Sequence, residues 1–215
     1  MNNVDVYWSH QSPYCYFALD RILRLRGRSD VDINLKPVLP GVIRNPEVFY
    51  DEPEVEQQYF VVDTHRTAAF LGLPYDEANP YPVEFQPNTL YHAAEEQPRV
   101  NDLYYLTEAA NDLGQGWEFL DGVTRLIWDG HNKNWHKGNK LEEAIESVGI
   151  DYRVVRESAD ANKRVYDQRF ANNHEELLAL GHNGVPTFGY KNEAFFGQDR
   201  FDQLLWRMGV TLPYR

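Results

Sequence analysis

The chain has 215 residues and carries 33 acidic against 21 basic side chains, a formal net charge of −12. An excess of negative charge on that scale repels phosphate backbones and anionic membrane faces, so neither nucleic acid nor a lipid surface is an expected partner. One cysteine excludes an intramolecular disulfide framework and suits a reducing compartment. Met1-Asn2-Asn3-Val4 brings neither the basic nor the apolar stretch of a secretory leader, and no apolar run has the length of a membrane span. A cytoplasmic protein with no transmembrane segment is expected, long enough for one domain with an insertion.

In chain order, Val4-Asp5-Val6-Tyr7-Trp8 alternates like a half-buried strand. Ser12-Pro13 is a strong helix start, with serine at the cap and proline at the first helical position. The helix that follows carries Leu19, Ile22, Leu23 and Leu25, and Val31 to Val38 alternates as a second strand. Leu39-Pro40-Gly41 then marks a loop leaving the sheet. An acidic patch, Asp51-Glu52-Pro53-Glu54-Val55-Glu56, leads into a helix over about 54–70. Acids in a first turn complement the helix dipole, so the patch is read as structural. Gly72-Leu73-Pro74 ends that helix, and Pro87-Asn88-Thr89-Leu90 is expected to start another, with Leu90, Ala93 and Ala94 facing inward. Helical patterns follow at about 100–112, 115–129 and 139–148, and a long one runs over 161–180.

The last stretch organises the chain. Gly184-Val185-Pro186-Thr187 opens a pair of apolar runs around Lys191-Asn192, the pattern of a hairpin, and Phe201, Leu204, Leu205 and Met208 follow at helical spacing. A proline at the mouth of a strand cannot donate to the ladder. If its peptide bond is cis, the preceding carbonyl and amide turn outward, free to pair with an extended ligand. Strand–helix–strand at the start and hairpin–helix at the end make the thioredoxin plan. The expected fold is therefore α/β: a thioredoxin-like domain over 1–42 and 181–215, with a large all-helical insertion over 43–180.

Three motifs in this order and spacing, Ser12-Pro13-Tyr14-Cys15-Tyr16, Gly184-Val185-Pro186-Thr187 and Phe196-Gly197-Gln198-Asp199-Arg200, carry a resemblance. The chain resembles the 2-hydroxychromene-2-carboxylate isomerase family, whose relatives are kappa-class glutathione transferases and, further off, DsbA-type disulfide oxidoreductases. That resemblance implies a glutathione-dependent isomerase acting on an aromatic carboxylic acid, with glutathione as cofactor. A kappa-like transferase and a DsbA-like peptide-binding protein without redox activity are the alternatives. A homodimer is allowed.

Ser12 stands where DsbA-type proteins place the nucleophilic cysteine of Cys-x-x-Cys, so dithiol exchange with Cys15 is excluded. By resemblance its hydroxyl donates to the sulfur of glutathione at a helix N-terminus, where negative charge is favoured. The plainer alternative is that it caps its own helix. Cys15 reads as a small buried hydrophobe, with a mixed disulfide as the other option. Val185, before Pro186, is implied to pair its backbone with the cysteinyl part of the tripeptide, and Pro186 could equally serve the fold alone. Gln198 and Asp199 are implied to receive the γ-glutamyl end, the alternative for Asp199 being a helix cap.

Asn45 matches the asparagine that the family uses near the reacting centre, or is a turn residue before Pro46. Tyr14 joins Tyr7, Trp8, Tyr16 and Phe17 as aromatic groups that could wall a pocket for a flat substrate or fill the core. Tyr59 and Asp63 fit the family helix, but Glu56 replaces the lysine expected three residues before Tyr59. A glutamate cannot pair with the glycyl carboxylate; Lys36 and Arg44 are the neighbouring cations. The histidines lack ligand spacing, so no metal is expected.

Overall fold

The computed structural model describes residues 1–50 (for Tyr50 the backbone only), 53–89 and 91–212. In chain order the elements open with β1 (Asn2–Trp8), α1 (Pro13–Arg26), β2 (Val31–Pro37), α2 (Gly41–Arg44), α3 (Glu47–Tyr50) and α4 (Glu54–Leu71). They continue with α5 (Pro98–Asp112), α6 (Gly116–Trp128), α7 (Lys140–Ser147), α8 (Tyr152–Ala161) and α9 (Lys163–Ala179). The chain closes on β3 (Thr187–Tyr190), β4 (Glu193–Phe196), a 3₁₀ turn (Gln198–Arg200) and α10 (Phe201–Met208). It folds as two compact units, Met1–Val38 with Arg164–Arg215, and Leu39–Lys163.

The first unit is built on a four-stranded sheet in the order β2-β1-β3-β4. β1 and β2 run parallel and are joined through α1, as a parallel pair requires. β3 lies antiparallel to β1, and β4 antiparallel to β3. β2 alternates buried and exposed side chains, burying Val31, Ile33 and Leu35, and Pro37 sits in this edge strand where its missing N–H costs no ladder bond. The β3–β4 turn has Lys191 and Asn192 both at positive φ (51° and 62°), the two-residue geometry whose twist matches its strands. Phe201, Leu204, Leu205 and Met208 form the buried face of α10, at the helical spacing expected of them. This is the thioredoxin-like α/β fold.

The helical insertion has different limits from those expected. It spans Leu39–Lys163 rather than 43–180, because 164–180 belongs to the sheet-bearing unit. α9 buries Tyr166, Phe170, Asn173 and Leu177, and the Asn173 Nδ2 donates to the Pro37 carbonyl at 2.8 Å. Leu177 packs with Tyr7 and Val38, and Leu180 and Val185 lie against that cluster. Leu177→Ala is therefore expected to lower the unfolding free energy by about 2–5 kcal/mol, read from urea denaturation.

In the helical unit α5 packs on α6 and α8, and α6 on α7. The helix expected from residue 87 does not form. Asn88 and Tyr91 both have positive φ (60° and 63°), and a β-bridge joins Phe85 to Ala93 instead. The Gln86 amide donates to the His92 carbonyl and the Ala94 amide to the Glu84 carbonyl, each at 2.8 Å, so polar backbone that a helix would satisfy is satisfied across this loop. His92 thus lies on no helix, and Leu90 lies outside the described residues. α8 is a helix that the sequence patterns missed: Asp151 caps it, its side chain accepting from the Arg153 and Val154 amides at 3.0 and 3.2 Å. Among the described residues no helix is long and apolar enough to cross a membrane.

Candidate functional site

Ser12 sits at the junction of β1 and α1. Its backbone is extended (φ −90°, ψ 116°), its amide donates to the Ser9 carbonyl at 3.2 Å, and Pro13 begins the helix. The side chain makes no cap hydrogen bond. Instead its Oγ donates to the carbonyl of Val185, 173 residues away in sequence, at 3.4 Å. Well-formed O–H···O bonds cluster near about 2.7–2.8 Å, so the hydroxyl is held close to the strand edge without being tightly committed to it. Of the two sequence readings, the self-capping one is not what the side chain does.

Cys15, one turn further on, is fully buried. Burial pushes its thiol up to about 12, against the opposing pull of hydrogen bonds with the Ser9 backbone and the Ser12 side chain. It is protonated at neutral pH and behaves as a small apolar side chain, which removes the mixed-disulfide option. His10, in the same connection, is also fully buried and held down to about 3, so its ring is neutral.

Across from Ser12, the Val185–Pro186 peptide bond is cis. The ladder with β1 begins only at Thr187, so Val185 lies beyond it. Its side chain anchors on the Tyr7, Val38 and Leu177 cluster, and its N–H has no partner among the described residues. The Pro186 carbonyl accepts from the Gly197 amide at 2.8 Å, tying the edge to the turn that holds Gln198 and Asp199. Gly197 has φ 96°, and a Cβ there would stand 2.5 Å from the Asp199 Oδ1. Gly197→Ala is expected to cost about 1–3 kcal/mol by thermal or urea unfolding, because the residue must either take that backbone or give up its bond to Pro186.

The 198–199 turn is held from α1. Arg21 donates through Nη1 to the Gln198 carbonyl at 3.1 Å, pairs with Asp202 and lies 4.5 Å above the Phe201 ring. One helix therefore positions the Ser12 hydroxyl at its start and, from Arg21 past its middle, the Gln198 backbone. The Asp199 carboxylate pairs with Arg200 at 2.6 Å and caps no helix, since the cap position of α10 is Arg200. Tyr14 is half-buried in the first turn of α1, edge-on to Phe17 at 5.8 Å.

Asn45 belongs to the helical unit. It ends α2, donating its amide to the Gly41 carbonyl at 2.8 Å, and its own carbonyl accepts from Val48. Also in that unit, Tyr59 and Asp63 are linked through Arg66, which donates to the Asp63 Oδ1 at 2.7 Å and to the Tyr59 hydroxyl at 3.2 Å. Glu56 is exposed in the first turn of α4. The Arg44 Nε donates to the Leu39 carbonyl at 2.5 Å, and burial draws its pKa down. In the first unit Lys36 is paired with Glu176 at 2.8 Å, so it is not a ready partner for a ligand carboxylate. Among the described residues no group of three His, Cys, Asp or Glu side chains is placed to hold a metal ion.

Two residues were missed from sequence. Arg21 gave no signal, since its partners lie about 180 positions away. His182 had a faint one, a side-chain acceptor two residues ahead of a glycine amide, the local pattern more familiar from Asn and Asp.

The model of the DSBA-like thioredoxin domain matches residues 3–209. Among solved structures, a 2-hydroxychromene-2-carboxylate isomerase superposes with a TM-score of 0.66 at 19% identity, covering 96% of this chain and 94% of that one. A probable DsbA oxidoreductase from Streptomyces coelicolor gives 0.65 at 19% identity, over 100% and 93%. The cytosolic disulfide reductase DsbM from Pseudomonas aeruginosa, solved with GSH, gives 0.58 at 16% identity, over 97% and 100%. At such identities these likenesses speak for the fold. No curated protein resembles the chain closely enough to count as a match. With the family model spanning nearly its whole length, the chain belongs to the DSBA-like thioredoxin domain family.

Proposed function

We propose that the chain is a cytoplasmic, glutathione-dependent isomerase of the 2-hydroxychromene-2-carboxylate type, acting on an aromatic carboxylic acid. The observation that carries this reading is the Ser12 hydroxyl lying 3.4 Å from the Val185 carbonyl, beside an N–H of the same residue with no partner among the described residues. A cysteinyl residue in extended form fits that edge: its amide and carbonyl meet the Val185 backbone as one step of strand addition, and its sulfur comes to the hydroxyl. When bound, glutathione supplies a thiol able to add to an unsaturated carbon and leave again.

Ser12 donates to the sulfur, and the N-terminus of the 14-residue α1 favours negative charge there. The 198–199 turn takes the γ-glutamyl end, with Asp199 exchanging Arg200 for the ligand ammonium. Tyr14 contacts the aromatic acid. A serine in place of the first cysteine of Cys-x-x-Cys, with Cys15 protonated and buried, leaves the chain without dithiol chemistry of its own.

A second reading, a peptide-binding protein without redox work, is favoured by Glu56 standing where the family has a lysine for the glycyl carboxylate. Calorimetry with glutathione separates the two, because a peptide module gives no heat with the tripeptide. Incubation with a hydroxychromene carboxylate and glutathione tests the chemistry: an isomer of unchanged mass supports the proposal, and a stable thioether points to a kappa-like transferase.

A further inference from the structure

We infer that His182 is a positioning residue that sets the Gly184–Val185 backbone against Ser12. This rests on the reading of Val185 as the edge that meets glutathione. Gly184 and Val185 precede the ladder, so strand pairing does not fix their peptide planes, and side chains hold them instead. The Gly184 amide donates to the His182 Nδ1 at 2.8 Å. The Gly184 carbonyl accepts from the Thr187 Oγ1 at 2.7 Å. In the trans peptide that follows, a carbonyl turned toward Thr187 sends the Val185 N–H the opposite way. Both sides of Gly184 are thus held by side chains, and the next carbonyl is the one that Ser12 touches.

The imidazole is itself fixed. It stacks on Phe196 with centroids 3.9 Å apart and planes at 22°, and the same Phe196 ring covers Gly184 so closely that a Cβ would meet its Cζ at 2.8 Å. Phe196 directly precedes Gly197, whose amide holds the Pro186 carbonyl. On the other side the His174 Nε2 and the Asn183 Oδ1 are 3.2 Å apart, tying the loop to α9. An acceptor at Nδ1 requires the neutral ring with its proton on Nε2. The ring therefore joins two jobs, a hydrogen bond that orients a peptide and a stack that ties this loop to β4.

Three variants separate those jobs. His182→Asn keeps an acceptor two residues ahead of the Gly184 amide and drops the ring; His182→Phe keeps the stack and drops the acceptor; His182→Ala drops both. Glutathione affinity by calorimetry is expected to fall up to about tenfold in His182→Phe and His182→Ala, the order of one lost hydrogen bond, and to return to within about threefold of wild type in His182→Asn. Hydrogen exchange of the Gly184 amide, followed by NMR without ligand, is expected to quicken in the first two and recover in the third. Asn behaving like Phe, or Gly184 exchange indifferent to all three, overturns the assignment. If wild type shows no heat with glutathione, the proposed function fails, and the exchange measurement alone decides for or against His182.

Discussion

Ser12→Ala is expected to lower kcat for isomerisation by about 10²–10³-fold, the range for removing one donor from a developing anion, while glutathione affinity stays within about twofold. The asymmetry follows from where the hydroxyl sits. Its bond to the Val185 carbonyl is long at 3.4 Å, so little ground-state binding depends on it. The sulfur becomes negative when the bound thiol gives up its proton before attack and again as the carbon–sulfur bond breaks, and a donor already placed there stabilises that anion without rearrangement. Because the side chain does not cap α1, the alanine variant should keep its helix and its melting temperature. Steady-state kinetics beside calorimetry read the split. Equal losses in turnover and affinity would assign Ser12 to binding alone, and no loss would remove it from the chemistry.

Ser12→Cys is expected to convert a chain with no dithiol exchange into one that reduces a small disulfide. The substitution restores Cys-x-x-Cys spacing with Cys15, whose thiol already lies within hydrogen-bond reach of the Ser12 side chain. A thiol at the start of a 14-residue helix is lowered toward the reactive range by the dipole, whereas Cys15 is held protonated by burial. The new thiolate attacks the external disulfide, and Cys15 resolves the mixed disulfide by losing its proton and closing the second bond. Thiol titration after treatment with oxidised glutathione checks this: two free thiols should become none. Two thiols surviving the treatment would mean that the start of α1 does not offer the geometry of its redox-active relatives.

How much of this was legible in the sequence depends on how local each cause is. The Ser12-Pro13 start, the Lys191-Asn192 turn and the 201–208 face follow from neighbours within a few residues, and the structure has them. The 87–94 segment misled because proline, asparagine and threonine resemble a helix start, while the outcome was decided by left-handed backbone at Asn88 and Tyr91 and by pairing back to 84–86. The limit of the insertion was missed for a tertiary reason: α9 reads as one more helix of the series, and only Asn173 and Leu177 show that it serves the sheet. The motifs at 12–16 and 184–187 gave the residues of the candidate site, but not that the Ser12 hydroxyl would reach the Val185 carbonyl rather than cap its own helix. Arg21 and His182 act through partners that periodicity cannot see.

The burial of Cys15 has a bearing on life under oxidants. Conversion to sulfenic acid needs both a thiolate and access for peroxide, and this side chain offers neither, being fully enclosed and protonated. With a serine at position 12, the chain has no other sulfhydryl to lose. Peroxide thus finds no thiolate on this scaffold, and under the proposed function any redox sensitivity of turnover would enter through glutathione.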